Sequence, residues 1–318
     1  MKIEHKKQTL LFTTNTDSDD ISVVDVIRRN EITRIPVGGS PRGSVKFDPD
    51  KKFGYVSNCA GNSISVLDLN SYKEVAKIKT GIAPRGLSIS SDGNFAFVSN
   101  SGSNNVSIID LKKRKEINQI SMGANPRHMF VLSRLNKVLI SEWGSDSIGV
   151  IDLIGKSMKA KSTKSIPVGK DSRPYSINVT SDEKTAYVAN TQASYISIID
   201  IDKNLEKERI EVGYGGRAIV LDEKSGYAYA TIENSNQVAI IDLNKNEVVN
   251  RIEVGPNPRG IAIDFDLQEI YSSSFTRSGS MFKRNSITVV DIKNPLKAKV
   301  IDEIVVGLGP CSVSVLKH

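Results

Sequence analysis

The sequence predicts an all-β fold, a seven-bladed β-propeller of four-stranded antiparallel blades, and three observations predict it. The first is one stretch, Gly81 to Ile120, which reads GIAPRGLSISSDGNFAFVSNSGSNNVSIIDLKKRKEINQI. It holds four short apolar runs, LSIS, FAFVSN, VSIID and EINQI, separated by the turn-forming segments SSDGN, SGSNN and KKRK. Apolar residues alternate with Ser, Asn and Asp at a period of two, as in strands whose two faces are both specified. The second observation is recurrence. The third run returns as ISVVD at Ile21, ISVLD at Ile64, IGVID at Ile148, ISIID at Ile196, VAIID at Val238 and ITVVD at Ile287. With Val106 the seven copies step by 43, 42, 42, 48, 42 and 49 residues. A period in the low forties with four strands per unit marks radially packed propeller blades. The third observation is an offset at the ends. The chain starts on LLFTTN, which matches the second strand of the unit, and ends on PCSVSVLKH, which matches the first. Ser312 to Leu316 is therefore expected to complete blade one beside Leu10 to Asn15, closing the ring and removing exposed strand edges.

A closed ring makes residues 1–318 one propeller domain. Hydrophobic residues at 39% and charged residues at 25% are ordinary for a globular chain. No apolar run reaches the roughly 18 residues of a membrane span. MKIEHKKQTLLFTT has basic residues but no apolar stretch followed by a small-residue cleavage site, which predicts a cytoplasmic protein, expected as a monomer without membrane attachment. Two cysteines, Cys59 and Cys311, make no disulfide framework. The balance of 43 basic against 36 acidic residues favours anionic partners.

Within each blade two positions repeat for the scaffold. Asp ends the third strand at Asp25, Asp68, Asp110, Asp152, Asp200, Asp242 and Asp291, where it can accept turn N–H groups. Gly follows the fourth strand at Gly38, Gly81, Gly123, Gly169, Gly213, Gly255 and Gly307, where a positive φ is expected. Two blades are longer than the period. Blade four carries extra residues around Lys156 to Ser165 and Lys170 to Arg173. Blade seven carries them in FTRSGSMFKRNS, whose Arg277, Phe282, Lys283 and Arg284 could cap an anionic ligand.

The repeated PRG…SSDGN…FVSN…VSIIDL pattern resembles the YVTN (YncE-like) β-propeller repeat family over all seven units, with FGYVSN, FAFVSN and TAYVAN closest to its naming motif. The resemblance implies the fold and leaves activity open, since similar propellers include surface proteins, nucleic-acid binders, lactonases and streptogramin lyases.

In a meander, the loop entering strand one and the loop leaving strand two lie on the same face, so residues there converge on one mouth of the channel. The first set is Cys311, Arg42, Arg85, Arg127, Tyr175, Arg217 and Arg259. The second is Asn15, Asn58, Asn100, Glu142, Asn190, Ile232 and Ser274. The expectation is a ring of guanidinium groups over a ring of amides, suited to carboxylate or phosphate because the planar fork donates two parallel bonds. Arg after Pro can equally pair with loop carbonyls or nearby acids. Cys311 among cations is expected to have a lowered pKa, or simply to be a small residue at the closure point.

One blade breaks the pattern most. It has His128 where the others have Gly43, Gly86, Ser176, Ala218, Gly260 and Ser312, and its second strand ends in Glu142-Trp143 instead of Asn and a small residue. His near Glu can perform general acid–base chemistry and Trp143 offers a stacking wall; alternatively His128 fills a packing gap and Glu142 pairs with an arginine. ISEWGSDSIGVI also resembles the TEWG…IGR-type segment of streptogramin B lyases, whose Glu and His residues bind magnesium and carry the elimination. Glu142 matches that Glu; the family's His follows Pro directly, where this chain has Arg127, and His128 comes one residue later. Glu142 with Asn100 and Asn190 imitates the oxygen ligands of metal-dependent lactonases, so magnesium or calcium belongs only to the enzyme alternative. Walker, HExxH, GxSxG and CxxC motifs are absent. The reading favoured is a binding or accessory propeller for an anionic small molecule or peptide, without cofactor. The alternatives are a lyase or hydrolase using Glu142 and His128, and a single-stranded nucleic-acid binder stacking bases on Trp143, Tyr175 and Phe282.

Overall fold

A computed structural model describes residues 9–154, 158–276 and 285–317. The chain begins with β1 (Thr9–Asn15), β2 (Asp20–Asp25) and β3 (Asn30–Pro36). Blade two is β4 (Pro41–Phe47), β5 (Phe53–Asn58), β6 (Ser63–Asp68) and β7 (Lys73–Lys79), and blade three is β8 (Pro84–Ile89), β9 (Phe95–Asn100), β10 (Asn105–Asp110) and β11 (Lys115–Ser121). Blade four is β12 (Pro126–Leu132), β13 (Lys137–Glu142), β14 (Ser147–Ile154) and β15 (Lys159–Pro167). Blade five is β16 (Pro174–Val179), β17 (Thr185–Asn190), β18 (Tyr195–Asp200) and β19 (Leu205–Glu211). Blade six is β20 (Gly216–Asp222), β21 (Tyr227–Ile232), β22 (Gln237–Asp242) and β23 (Glu247–Glu253). Blade seven is β24 (Pro258–Asp264), β25 (Glu269–Ser274), β26 (Ser286–Asp291) and β27 (Lys299–Val305), and β28 (Pro310–Lys317) comes last. The seven sheets are each four-stranded, and β28 is the inner strand of blade one, in the order β28-β1-β2-β3. Its register is Ser312 against Thr14 and Leu316 against Leu10, as the offset ends predict. The innermost strands β4, β8, β12, β16, β20, β24 and β28 neighbour one another in a closed circle around the channel.

Each sheet buries both faces against its neighbours, which is why the third strands read as continuous apolar runs. Leu10, Phe12 and Val23 of blade one pack on Val45, Val56 and Leu67 of blade two; Leu139 and Val150 of blade four pack on Ile177, Val188 and Ile199 of blade five. Every residue in these two sets is at most 2% exposed, so each contributes about 1.5–3 kcal/mol of burial. Outer strands are half-exposed, and each is bulged against the third strand, which strengthens the twist of the blade rim.

The Asp that ends the third strand does shape the turn. Asp25 accepts from the N–H groups of Ile27 and Arg28, Asp68 from Asn70 and Ser71, and Asp242 from Asn244 and Lys245. In blade four the hairpin continues past Asp152, which lies 3.9 Å from Lys137, and Ile154 pairs with Lys159. The extra residues there lengthen the outer hairpin. The second addition, Lys170 to Arg173, is tied down by Asp146, whose carboxylate accepts from the N–H groups of Asp171 and Arg173. The blade-seven insertion, with Arg277, Phe282, Lys283 and Arg284, lies outside the described residues.

The recurrent glycines call for a correction. Only Gly169 and Gly213 have positive φ, at 100° and 88°. At the other five the reason is proximity. A Cβ on Gly38, Gly81 or Gly307 would stand 2.5, 2.7 or 2.3 Å from the amide nitrogen of Asn58, Asn100 or Asn15. In blades one, two and three the loop entering the blade therefore crosses directly over the Asn that ends its second strand.

Candidate functional site

The amides under those glycines point away from the channel. Asn58 Nδ2 donates to Ser63 and Ser65 Oγ, Asn100 Nδ2 to Asn105 Oδ1 and Ser107 Oγ, and Asn15 Nδ2 to Asp20 and Ser22. Asn190 Nδ2 donates to the Tyr195 carbonyl and Ser197 Oγ. All of these acceptors lie on or just before the third strand, radially outside the Asn. The serine hydroxyl then accepts the overlying glycine N–H, as from Gly307 to Ser22 at 3.1 Å and Gly81 to Ser107 at 3.3 Å. This Gly–Ser–Asn latch fixes the upper corner of blades one, two and three, Asn190 makes its Asn–Ser part in blade five, and all four asparagines are fully buried. They do not form the expected amide ring at the mouth.

Glu142 is the blade-four version of the latch. Where the serine of the sister blades would stand, seven residues on, this blade has Gly149. The longer Glu142 side chain fills that space: its carboxylate accepts from Gly123 N–H at 2.7 Å, Ser147 Oγ at 2.7 Å and Ser165 Oγ at 3.0 Å. It is 3% exposed and bonded to the third and fourth strands, so it faces outward. The expectation that its oxygens face the channel is not met, and the carboxylate is not an acid–base partner of His128.

The residue one step later in each blade is Thr16, Cys59, Ser101, Trp143, Thr191, Glu233 or Phe275. A one-residue slip along a strand reverses the face. Four of them, Ser101, Trp143, Glu233 and Phe275, meet the arginines of the first ring. Arg85 Nε donates to Ser101 Oγ at 3.1 Å. The Arg127 guanidinium sits 4.9 Å from the Trp143 ring centre and 5.9 Å from that of Tyr175. Arg217 stacks on Tyr175 at 4.0 Å and Arg259 on Phe275 at 3.7 Å. Glu233, presented by the short turn Glu233–Ser235, bridges the last two: it lies 3.4 Å from Arg217 Nη1 and 2.8 Å from Arg259 Nη2. Arg173 joins the cluster by stacking on Trp143 at 5.0 Å, and Trp143 Nε1–H donates to Thr191 Oγ1 at 3.0 Å. Glu233 and Arg173 are functional candidates that repeat-reading passed over or set aside. The signal for Glu233 was a lone acid in a column of small and aromatic residues.

The electrostatics of the ring are uneven. Arg217 and Arg259 share one carboxylate, whereas Arg42, Arg85 and Arg127 have no carboxylate partner among the described residues. The buried Nε groups of Arg42, Arg127 and Arg217 have no hydrogen-bond partner. Burial, and then the nearby Arg85, Arg217 and Arg42 against a smaller opposing effect of Tyr175, pull the pKa of Arg127 down to about 10. Burial acts the same way on Arg217, but Tyr175, Glu233 and Cys311 outweigh it and hold its pKa above the ordinary value. Cys311, 5% exposed, is pushed up by burial but more strongly down by Arg42, Arg259 and Arg217, so the thiol is more acidic than usual.

Below the mouth, a cavity of about 420 Å³ runs between the inner strands, lined among others by His128, Lys46, Tyr175, Arg217, Arg259 and Cys311. His128 reaches across to the next blade, where its Nδ1 accepts the Ile177 N–H at 3.2 Å. Burial, reinforced by Lys46, lowers its pKa to about 3, so the ring is neutral with its proton on Nε2. Position 128 is otherwise small because inner strands approach closely: a Cβ on Gly86 would lie 2.1 Å from the Arg127 carbonyl oxygen. Among the described residues no group of three or more His, Cys, Asp or Glu side chains is arranged to hold a metal ion.

Fold and mouth define a class: a seven-bladed β-propeller with an arginine- and aromatic-lined opening to its channel. Family models agree at the level of the fold, residues 6–139 matching the cytochrome D1 heme domain and residues 112–254 matching the seven-bladed β-propeller lactonase. Among solved structures, Kuenenia stuttgartiensis hydrazine synthase is 19% identical with a TM-score of 0.73, over 89% of this chain and 97% of that one. A Bacteroides fragilis protein provisionally named a 6-phosphogluconolactonase is 15% identical with a TM-score of 0.81, over 99% of both chains. Dihydro-heme d1 dehydrogenase NirN in complex with DHE is 15% identical with a TM-score of 0.69, over 96% of this chain and 74% of that one. Comparison with curated proteins gave no match. No helix among the described residues is long and apolar enough to cross a membrane.

Proposed function

We propose that this protein is a binding or accessory propeller of the YVTN type that captures an anionic small molecule or peptide carboxylate at its arginine-lined mouth. One observation carries the reading: Arg42, Arg85 and Arg127 converge without a carboxylate partner among the described residues, close enough that Arg85 and Arg42 add to the burial that lowers the pKa of Arg127. Like charges gathered at a half-buried opening are stabilised by an anion that supplies the missing hydrogen bonds. Trp143 and Tyr175 add aromatic surface beside the cluster, although each ring already has two guanidiniums over it, which weakens the case for stacked nucleic-acid bases. The lactonase and 6-phosphogluconolactonase likenesses are compatible with a phosphate- or carboxylate-bearing ligand. His128, the one imidazole among the described residues, accepts a backbone N–H on Nδ1 and so is not set to ligate a metal through that nitrogen. The free thiols Cys59 and Cys311 fit a reducing, cytoplasmic setting.

Calorimetric titration with inorganic phosphate and with hexanoate tests the proposal. Both should bind, and R42A/R127A should weaken binding by about 3–6 kcal/mol, two charged hydrogen bonds at about 1.5–3 each. Equal affinity in the double variant would refute the site.

A further inference from the structure

Deeper in the channel a second cation stands apart from the ring. The inner strand of blade two holds one residue more than its sisters. Five steps, from Pro41 to Lys46, oppose three steps of the partner strand, Asn58 to Tyr55, where in blade three four steps from Pro84 to Ser88 oppose the three from Asn100 to Phe97. Gly43, at φ +69°, absorbs the excess. Lys46 thus occupies the channel-facing layer that also holds Phe130, Asn178, Val220, Ala262 and Ser314. It has no ion pair and no hydrogen bond among the described residues, and burial alone acts on its amine, lowering its pKa. A second polar group in the same cavity is equally unmet: Ser314 is 9% exposed and its Oγ has no partner. An ammonium held without a counter-ion in a half-buried channel is costly unless something charged is held there.

We propose that Lys46 and Ser314 form a second anion subsite inside the channel, so that the ligand is an elongated dianion. Its outer carboxylate or phosphate sits on Arg42, Arg85 and Arg127, and its inner one at Lys46. This rests on the anion reading of the mouth. From Arg42 to Lys46 the paired strand advances from Ser57 to Tyr55, two residues, which is roughly 7 Å. An aliphatic chain of that reach lies along Phe130, Val220 and Ala262, and the free Nε2–H of His128 faces the same cavity. Adipate has about this spacing, whereas hexanoate of the same length carries one anionic group.

Titration of the full chain with adipate, hexanoate and inorganic phosphate separates the two claims. Adipate should bind at least about tenfold more tightly than hexanoate, the contribution of one charged hydrogen bond, and K46M should bring the two affinities together. If hexanoate and phosphate bind but K46M leaves the adipate preference unchanged, the channel subsite is overturned while the mouth stands. If neither of these anions with a single acidic group binds, the mouth reading fails and the subsite with it. A second measurement does not depend on the variant folding. In the unaltered protein, adipate but not hexanoate should protect Lys46 from acylation by a small amine-reactive reagent, read by peptide mass spectrometry. Equal or absent protection overturns the proposal.

Discussion

Glu142 and Gly149 are exchanged together relative to the sister blades, and a double-mutant cycle can expose that dependence. Glu142→Asn withdraws the carboxylate from Gly123 N–H, Ser147 and Ser165. The two hydroxyls can turn to other acceptors, but the glycine amide cannot, so the loss is that of one buried orphan donor, about 1–3 kcal/mol. Gly149→Ser fails for the opposite reason. Its Cβ alone would stand 2.4 Å from Met122 Cε and 2.6 Å from Glu142 Oε1. The methionine can move but the anchored carboxylate cannot, and such overpacking costs about 1–3 kcal/mol. Together the two changes rebuild the latch of the other blades, with the introduced hydroxyl accepting both Gly123 N–H and the introduced amide. The double variant should lie within about 1 kcal/mol of the parent instead of the roughly 2–6 kcal/mol sum, a favourable coupling between contacting sites. For a chain of this length each kcal/mol moves Tm by about 1–2 °C, so each single variant should melt early and the double should recover most of the loss. Denaturant unfolding of all four proteins gives the coupling directly. Additive losses would refute the latch, and phosphate binding should be unchanged throughout because Glu142 faces away from the channel.

Two further outcomes are expected. Truncation after Gly309 removes β28 and strips blade one of its inner strand, so the melting temperature should fall sharply by calorimetry; an unchanged melt would contradict the closure. His128 should remain neutral in NMR titrations down to about pH 3. Its folded pKa is depressed below the unfolded value near 6.5, so the stability it contributes is present above pH 6.5 and is lost as pH falls towards 3. The loss approaches roughly 1.4 kcal/mol per unit, and H128Q should remove that slope.

The ring was legible because its signal is global: seven copies at steps of 42 to 49 residues and a complementary pair of ends leave no other way to bury the sheets. The site was legible only in part. The arginine column was found because it follows a fixed Pro or Gly, which sets its place on the inner strand. The partner column was misplaced by one residue, since Asn and its successor are both polar at a strand end, and composition does not say which of two alternating faces looks inward. A local clue existed. Asn15, Asn58, Asn100 and Asn190 each have Ser seven residues on, while Glu142 has Gly149, so the two positions change together as contacting residues do. Lys46 was hidden by the single extra residue in blade two. The glycine expectation failed because positive φ and close approach select the same residue, and only the position of the overlying amide distinguishes them.

Completing the first sheet with the last strand also has a consequence for synthesis. The ribosome delivers Pro310 only 295 residues after Asn15 (310 − 15), about 15–60 s at roughly 5–20 residues per second. Throughout that interval β1 has one unpaired edge, with Leu10 and Phe12 lacking part of their final surroundings. The last act of assembly therefore joins the segments most distant along the chain and carries the largest loop-closure entropy of any strand pairing in the molecule. A nascent arc with an open edge at each end is the species on which a chaperone would act, and the one most prone to pair with another copy instead of with itself.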